Sequence, residues 1–91
     1  MQLYVKDPGA SLDYSIDWGG GYLGAGETIT TSSWVAFPAD MTISGAGNTT
    51  TLATITASGG VTGRIYQLTN RIITSGGRTD ERSIAVRVEQ R

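Results

Sequence analysis

The amino-acid sequence predicts an all-β fold in which about seven short antiparallel strands form a sandwich. The chain of 91 residues contains 13 Thr, 8 Ser and 13 Gly, residue types that favour strands and turns over helices. Apolar and polar side chains alternate with a period of two in three segments, as they do in half-buried strands. Turn signals rich in Gly, Ser and Pro recur roughly every eight to twelve residues, which is typical of a sandwich.

The strands follow from this alternation in chain order. The three clear segments are Leu12–Trp18, Arg64–Ile72 and Ile84–Glu89. Weaker segments between them are also predicted to be strands: Glu27–Ser32, Trp34–Phe37, Met41–Ser44 and Thr50–Ala57. Pro8 and Gly9 separate this body from Met1–Lys6. Residues 1–9 are therefore expected to be either an edge strand or a free N-terminal arm. The candidate sheet edges are Met1–Lys6 and Ser83–Glu89.

The length and the strand pattern favour one Ig-like domain over residues 1–91. A chain of this size buries only about 60% of its unfolded surface, which is enough for one small core. Tyr14, Trp18 and Trp34 occupy strand positions and are expected to have structural roles in that core. Tyr66 lies at the start of the penultimate predicted strand, where Ig-like domains carry a tyrosine whose hydroxyl fixes a strand crossover.

The composition disfavours most enzyme chemistry. The chain contains no histidine and no cysteine, which removes triad bases, imidazole ligands and thiolate zinc sites. The sequence therefore predicts no enzyme, no catalytic residue, no cofactor and no metal. A net charge of −1 does not favour nucleic-acid binding, and no apolar run is long enough to span a membrane. The start lacks a signal-peptide layout, so synthesis in a cytoplasm is expected.

Two local motifs have simpler explanations than ligand binding. Gly19-Gly20-Gly21-Tyr22-Leu23-Gly24 matches a dinucleotide pattern, but a strand-like segment follows it where a helix would be needed. Asp13, Ser15 and Asp17 have the spacing that opens a calcium loop, but they alternate with core residues as the polar face of a strand does. A flexible loop and a solvated strand face are the favoured interpretations.

Charge is divided unevenly along the chain. Residues 1–45 carry Lys6 against five acidic residues, whereas residues 46–91 carry six Arg against three acidic residues. Strands from the two halves could interleave and neutralise one another. Alternatively, oppositely charged faces could pack copies head to tail into a ring. The excess of Arg over Lys supports the second alternative, because Arg is enriched at protein interfaces.

The most charged segment is Ser75–Ser83, which is expected to be a loop at one tip of the sandwich. Loop tips of Ig-like domains often bind partners, so the segment is a candidate interface. A solvated hairpin with its own ion pairs is an equal alternative. The candidate interface residues are Arg71, Arg78, Asp80, Glu81 and Arg82. Reversal of Arg78 and Arg82 to Glu is expected to leave folding intact and to reduce assembly.

Four short motifs occur in a characteristic order. They are Leu12-Asp13-Tyr14-x-x-Asp17-Trp18, Leu23-Gly24-x-Gly26-Glu27-Thr28-Ile29, Gly63-x-x-Tyr66-x-Leu68-Thr69-Asn70-Arg71-Ile72 and Gly77-Arg78-Thr79-Asp80-Glu81-Arg82-Ser83. Together they resemble a family of small tailed-bacteriophage proteins, the fiber–tail adaptors, over residues 1–91. The resemblance implies an Ig-like sandwich in the virion that joins the tail or neck to receptor-binding fibers. It also implies contacts with other phage structural proteins and with copies of itself, and it carries no catalytic residues.

Two other functions remain as alternatives. A capsid decoration or adhesion module would bind carbohydrate through exposed aromatic rings, and it requires Trp34, Tyr22 or Phe37 to face solvent. An enzyme is disfavoured because the sequence contains no nucleophile–base pair and no metal-binding set.

Overall fold

A computed structural model of the chain describes residues 2–90, which form seven β-strands and no helix. The strands are β1 (Gln2–Lys6), β2 (Ser11–Asp17), β3 (Ile29–Phe37), β4 (Met41–Asn48), β5 (Leu52–Gly59), β6 (Ile65–Thr74) and β7 (Thr79–Val88). They form a four-stranded sheet of order β1-β7-β6-β3 and a three-stranded sheet of order β2-β5-β4. The predicted all-β sandwich is confirmed.

The strand order is compatible with an Ig-like arrangement. The three-stranded sheet follows the B-E-D order of Ig domains, and β3, β6 and β7 follow the C-F-G order. All strand pairs are antiparallel except β1–β7, in which Gln2 is paired with Ile84 and Lys6 with Val88. The short strand β1 therefore lies at the edge of the larger sheet, parallel to β7.

Strand β3 is one continuous strand where the sequence predicts two. The two predicted segments, Glu27–Ser32 and Trp34–Phe37, are joined through Ser33, which is exposed and pairs with Arg71 on β6. A register shift between Ile29 and Thr31 absorbs the irregularity. A polar residue on the outward side of a strand does not interrupt the hydrogen-bond ladder, so the break predicted at Ser33 is wrong.

The prediction that Ser83–Glu89 forms a sheet edge is wrong. β1 pairs along β7 and covers its outer side, so β7 lies inside the sheet and β1 is the edge strand. The buried Lys6 side chain fastens β1 to the other sheet, because its Nζ donates hydrogen bonds of 2.8 Å to the carbonyls of Asp7 and Gly59. Burial lowers the pKa of Lys6, an effect that the nearby Asp7 opposes.

The core lies between the two sheets and follows the alternation of the strands. The buried apolar side chains include Tyr14, Ile16, Trp18, Ile55, Tyr66, Leu68, Ile72, Ile84, Val86 and Val88. Full burial of one such side chain stabilises the fold by about 1.5–3 kcal/mol. The core therefore draws on both sheets and leaves one face of each sheet at the surface.

The four residues predicted to have structural roles occupy different depths. Tyr14, Trp18 and Tyr66 are buried, whereas Trp34 is half-buried and packs against the core. The Tyr66 hydroxyl accepts a 2.8 Å hydrogen bond from the amide of Val61, upstream at the β5–β6 crossover. This contact has the geometry of the tyrosine corner of Ig-like domains.

Candidate interaction surfaces

The predicted charged loop is mostly strand. Within Ser75–Ser83, β7 begins at Thr79, so Asp80, Glu81 and Arg82 extend a β-hairpin. Because side chains alternate across a strand, Asp80 and Arg82 lie on the core-facing side of the sheet and Glu81 lies on its outer face. The placement of these three residues in a loop is therefore wrong. The candidate interface residues separate into two groups: Arg78, Asp80 and Arg82 at the loop end, and Arg71 and Glu81 on the outer face of the sheet.

A buried chain of hydrogen-bonded polar groups lies beneath Arg82. The indole of Trp18 is fully buried, and its Nε1 donates a 2.8 Å hydrogen bond to Oδ1 of Asn70. Asn70 in turn donates from Nδ2 to the Ser32 hydroxyl at 2.8 Å and to the Ser33 carbonyl at 3.0 Å. These polar groups are satisfied inside the sandwich, so the indole is held in one orientation.

Two arginines stack on the aromatic rings at this end of the molecule. The guanidinium carbon of Arg82 lies 4.4 Å from the Trp18 ring centroid, and that of Arg78 lies 4.3 Å from the Tyr22 centroid. The Trp18 and Tyr22 rings meet edge to face with centroids 5.1 Å apart. The negative face of each aromatic ring attracts the guanidinium above it. The arginines therefore hold Tyr22, and with it the glycine-rich loop, against β7.

Glu27 connects the glycine-rich loop to Arg78. Its carboxylate is ion-paired with the guanidinium of Arg78 and accepts hydrogen bonds from the Thr74 hydroxyl at 2.5 Å and the Gly24 amide at 2.9 Å. These hydrogen bonds, with that from Arg78 the strongest, lower the pKa of Glu27 to about 2. Arg78 also donates a 3.0 Å hydrogen bond to the carbonyl of Tyr22. We call Trp18, Tyr22, Glu27, Arg78 and Arg82 the loop-end cluster.

The outer face of the four-stranded sheet presents a different surface. It exposes six large apolar side chains, of which Ile73 lies at the far end beside Thr79. We call the other five the apolar patch: Phe37 (75% exposed), Val35 (64%), Ile65 (56%), Leu3 (53%) and Val5 (39%). The register places Leu3, Ala85, Gln67 and Phe37 on one level across the sheet. The patch therefore consists of two apolar strips, and exposed apolar side chains grouped on one face mark interaction sites.

Charged groups on this face lie both beyond the apolar patch and within it. Arg71 on β6 and Glu81 on β7 are register partners at the opposite end of the face. Arg87 lies between Val5 and Ile65 in the register and is ion-paired with Glu89 at 2.7 Å. The Arg64–Asp40 ion pair, also at 2.7 Å, joins the β3–β4 and β5–β6 connections. Each of these charges therefore lies close to one of opposite sign.

The weaker ligand motifs occupy structural positions. Asp13 accepts a 2.6 Å hydrogen bond from the Thr56 hydroxyl, and Asp17 accepts one of 2.9 Å from the Gly19 amide. Within residues 2–90, no three carboxylates group as a metal site would require. The glycine-rich segment after Trp18 leads into strand β3, where a dinucleotide site would need a helix.

Comparison with known protein families shows what kind of protein this is. Residues 6–87 match the family model described as podophage GP4 fiber-tail adaptor protein gp77. The chain belongs to this family. A comparison with curated proteins finds no match. Fiber–tail adaptors of this family are phage structural proteins with a non-catalytic role, which places the chain in the virion and in contact with other tail or fiber proteins. No helix in the described part of the chain is long and apolar enough to cross a membrane.

Proposed function

We propose that this protein is a non-enzymatic adaptor that connects the phage tail or neck to receptor-binding fibers through protein–protein contacts of its Ig-like sandwich. The apolar patch carries the proposal, because an exposed apolar sheet face in a member of an adaptor family is expected to be covered in the assembled particle. Other phage structural proteins and copies of the chain itself are the expected partners. Synthesis in the host cytoplasm precedes incorporation.

The shape of the molecule suits two separate contacts. The described residues span 43 × 20 × 17 Å. The apolar patch lies near the start of β6, and the loop-end cluster lies near its end, roughly 20 Å away at about 3.3 Å per strand residue. We propose that the loop end, with Arg78, Asp80 and Arg82, supplies a second contact. The stacking on Trp18 and Tyr22 keeps this end rigid, which lowers the entropy lost on binding.

The test uses phage particles that carry variants of this protein. Phe37→Lys places a charge at the most exposed position of the apolar patch, and Thr42→Lys is its control on the exposed face of the other sheet. We expect particles to contain the wild-type protein and the Thr42→Lys protein in fixed stoichiometry, and to contain little Phe37→Lys protein. Mass spectrometry of purified virions measures incorporation, and electron microscopy measures fiber attachment. Normal incorporation and fiber attachment with Phe37→Lys would contradict the proposed use of the patch.

Carbohydrate binding is the second candidate, and one observation favours it. Phe37 is exposed and could stack on a sugar ring, although Trp34 and Tyr22 are half-buried. A glycan array compares the wild-type protein with Phe37→Ala. Binding that is lost in the variant supports this function, and an array without signal contradicts it.

A further inference from the structure

We infer that the outer face of the four-stranded sheet pairs with the same face of a second copy, about a two-fold axis that runs along the strands between β6 and β7. The inference rests on the proposed function for its setting in the virion, and it names the partner of the apolar patch. Of the eight large hydrophobic side chains exposed among residues 2–90, six lie on this face. The outer face of the other sheet presents mainly Asp, Ser and Thr, so it offers no comparable apolar surface.

The strand order makes the face complementary to itself. A two-fold axis between the central strands places β6 opposite β7 of the second copy, and β3 opposite β1, without changing the level along the strands. Phe37 and Leu3 share one level at opposite edges of the sheet. The axis therefore brings Phe37 over the second copy's Leu3, and the same contact occurs twice, as in any isologous interface. The bulkiest side chain of one edge meets the aliphatic side chains of the other.

The charges on the face are complementary under the same rotation. Arg71 on β6 and Glu81 on β7 are register partners. Arg71 of each copy therefore lies opposite Glu81 of the other copy. Two Arg71–Glu81 pairs would then connect the copies. Arg87 lies on the level of Ile65, and its alkyl stem can cover the second copy's Ile65 while its guanidinium stays paired with Glu89.

The centre of the face allows close approach. Gln67 lies opposite the second copy's Ala85, so one long side chain meets a short one, and Thr69 lies opposite its Ser83, where both side chains are short. Thr69 and Ser83 already share a 2.8 Å hydrogen bond within the sheet, which satisfies their hydroxyls before association. Two sheets packed face to face with nearly aligned strands are an ordinary sandwich arrangement.

The size of the face predicts a weak dimer. Three strands of nine or ten residues and one of five, about 4.8 Å apart, cover roughly 500 Å², less than the roughly 800 Å² that each partner of a stable complex buries. The axis parallel to the strands also directs both loop-end clusters to the same end of the dimer. The pair would therefore present two adjacent loop ends to the next component of the tail.

Sedimentation equilibrium of the full chain, from low micromolar to about millimolar concentration, tests the inference. We expect a reversible monomer–dimer equilibrium. Phe37→Lys should raise the dissociation constant by about tenfold or more, because it places a charge in an apolar contact that occurs twice. Thr42→Lys, which adds the same charge to the other sheet, should leave the dissociation constant unchanged. Circular dichroism and the unfolding midpoint verify that each variant is folded.

A charge exchange tests the predicted orientation of the two copies. Arg71→Glu alone and Glu81→Arg alone should each weaken the dimer roughly tenfold, because each places like charges opposite one another twice. The double variant Arg71→Glu/Glu81→Arg restores opposite charges and should return the dissociation constant to near the wild-type value. A double variant as weak as the single variants would overturn the proposed axis.

The outcomes separate this inference from the proposed function. A chain that remains monomeric up to millimolar concentration overturns the pairing of two copies. If Phe37→Lys still fails to enter virions in that case, another virion protein covers the apolar patch and the adaptor proposal stands. If the chain dimerises through this face but Phe37→Lys enters virions normally, the dimer is supported and the proposed use of the patch in assembly is contradicted.

Discussion

The loop-end cluster and the apolar patch lie at opposite ends of the four-stranded sheet, and they differ in charge and in how much of their surface is free to bind a partner. The loop-end cluster is rich in charge, yet its glutamate and arginines bond to groups of the same chain. The apolar patch carries no charge, and its side chains are 39–75% exposed. Charge in the sequence therefore indicates the segment that fastens the fold, whereas exposure after folding indicates the surface that needs a partner.

The largest effect is expected at the loop end. Trp18→Ala removes a fully buried ring, its hydrogen bond to Asn70 and the platform for Arg82, so it should lower the free energy of unfolding by about 3–5 kcal/mol. Phe37→Ala removes an aromatic ring that is 75% exposed and should change this free energy by less than about 0.5 kcal/mol. Urea denaturation of both variants measures the contrast.

A milder change keeps the comparison usable if Trp18→Ala fails to fold. Trp18→Phe retains an aromatic ring but removes the Nε1 donor, so Asn70 loses a buried partner at a cost of about 1–3 kcal/mol. Equal stability of Trp18→Phe and the wild type would show that the buried polar chain contributes little.

The next effect concerns Arg78, whose reversal is not a neutral surface change. Because Arg78 is ion-paired with Glu27 and stacks on Tyr22, Arg78→Glu should lower the melting temperature, contrary to the expectation from the sequence. The exchange Glu27→Arg/Arg78→Glu should recover part of the loss by restoring opposite charges. Differential scanning calorimetry measures both, and a melting temperature of Arg78→Glu equal to that of the wild type would contradict the fastening role. Asp80→Lys is therefore the cleaner variant for testing the loop end as an interface.

The pH dependence of stability should report the same network. The pKa of Glu27 is about 2 in the folded protein, below its ordinary value of 4.5, because the bonds from Arg78, Gly24 and Thr74 favour the carboxylate. The stabilisation is therefore present above about pH 4.5 and is lost as the pH falls toward 2. The melting temperature of the wild type should exceed that of Glu27→Gln above pH 5, and the difference should shrink toward zero near pH 2. A difference that does not change with pH would exclude this cause.

Local alternation was sufficient to predict most of the core. Ile16 on β2, Trp18 directly after it, Leu68 on β6, and Val86 and Val88 on β7 all fall on the apolar side of their segments, and all are buried. A period of two depends only on neighbouring residues, so one sequence contains it in full. The tyrosine at the β5–β6 crossover could be located in the same way, because its position is tied to the strand that follows.

Contacts between distant segments could not be predicted in this way. Glu27 and Arg78 are 51 residues apart, and no local pattern links a glycine-rich loop to a charged hairpin. The apolar patch was also missed, because the Trp34–Phe37 segment is apolar on both sides and alternation alone does not show which side is covered. The sequence shows apolar residues on both sides of several strands. Only the order of the strands in the sheet shows that these residues lie together on one face.

The smallest effect is expected at Val35, where an isosteric change tests the apolar patch without adding charge. Val35→Thr replaces one methyl group with a hydroxyl on a side chain that is 64% exposed, so the free energy of unfolding should change by less than about 0.5 kcal/mol. The matched control Val86→Thr makes the same replacement at a fully buried position and should cost about 1–3 kcal/mol. Urea denaturation measures both values. If Val35→Thr costs as much as Val86→Thr, the outer face is already packed within one chain and needs no second copy to cover it.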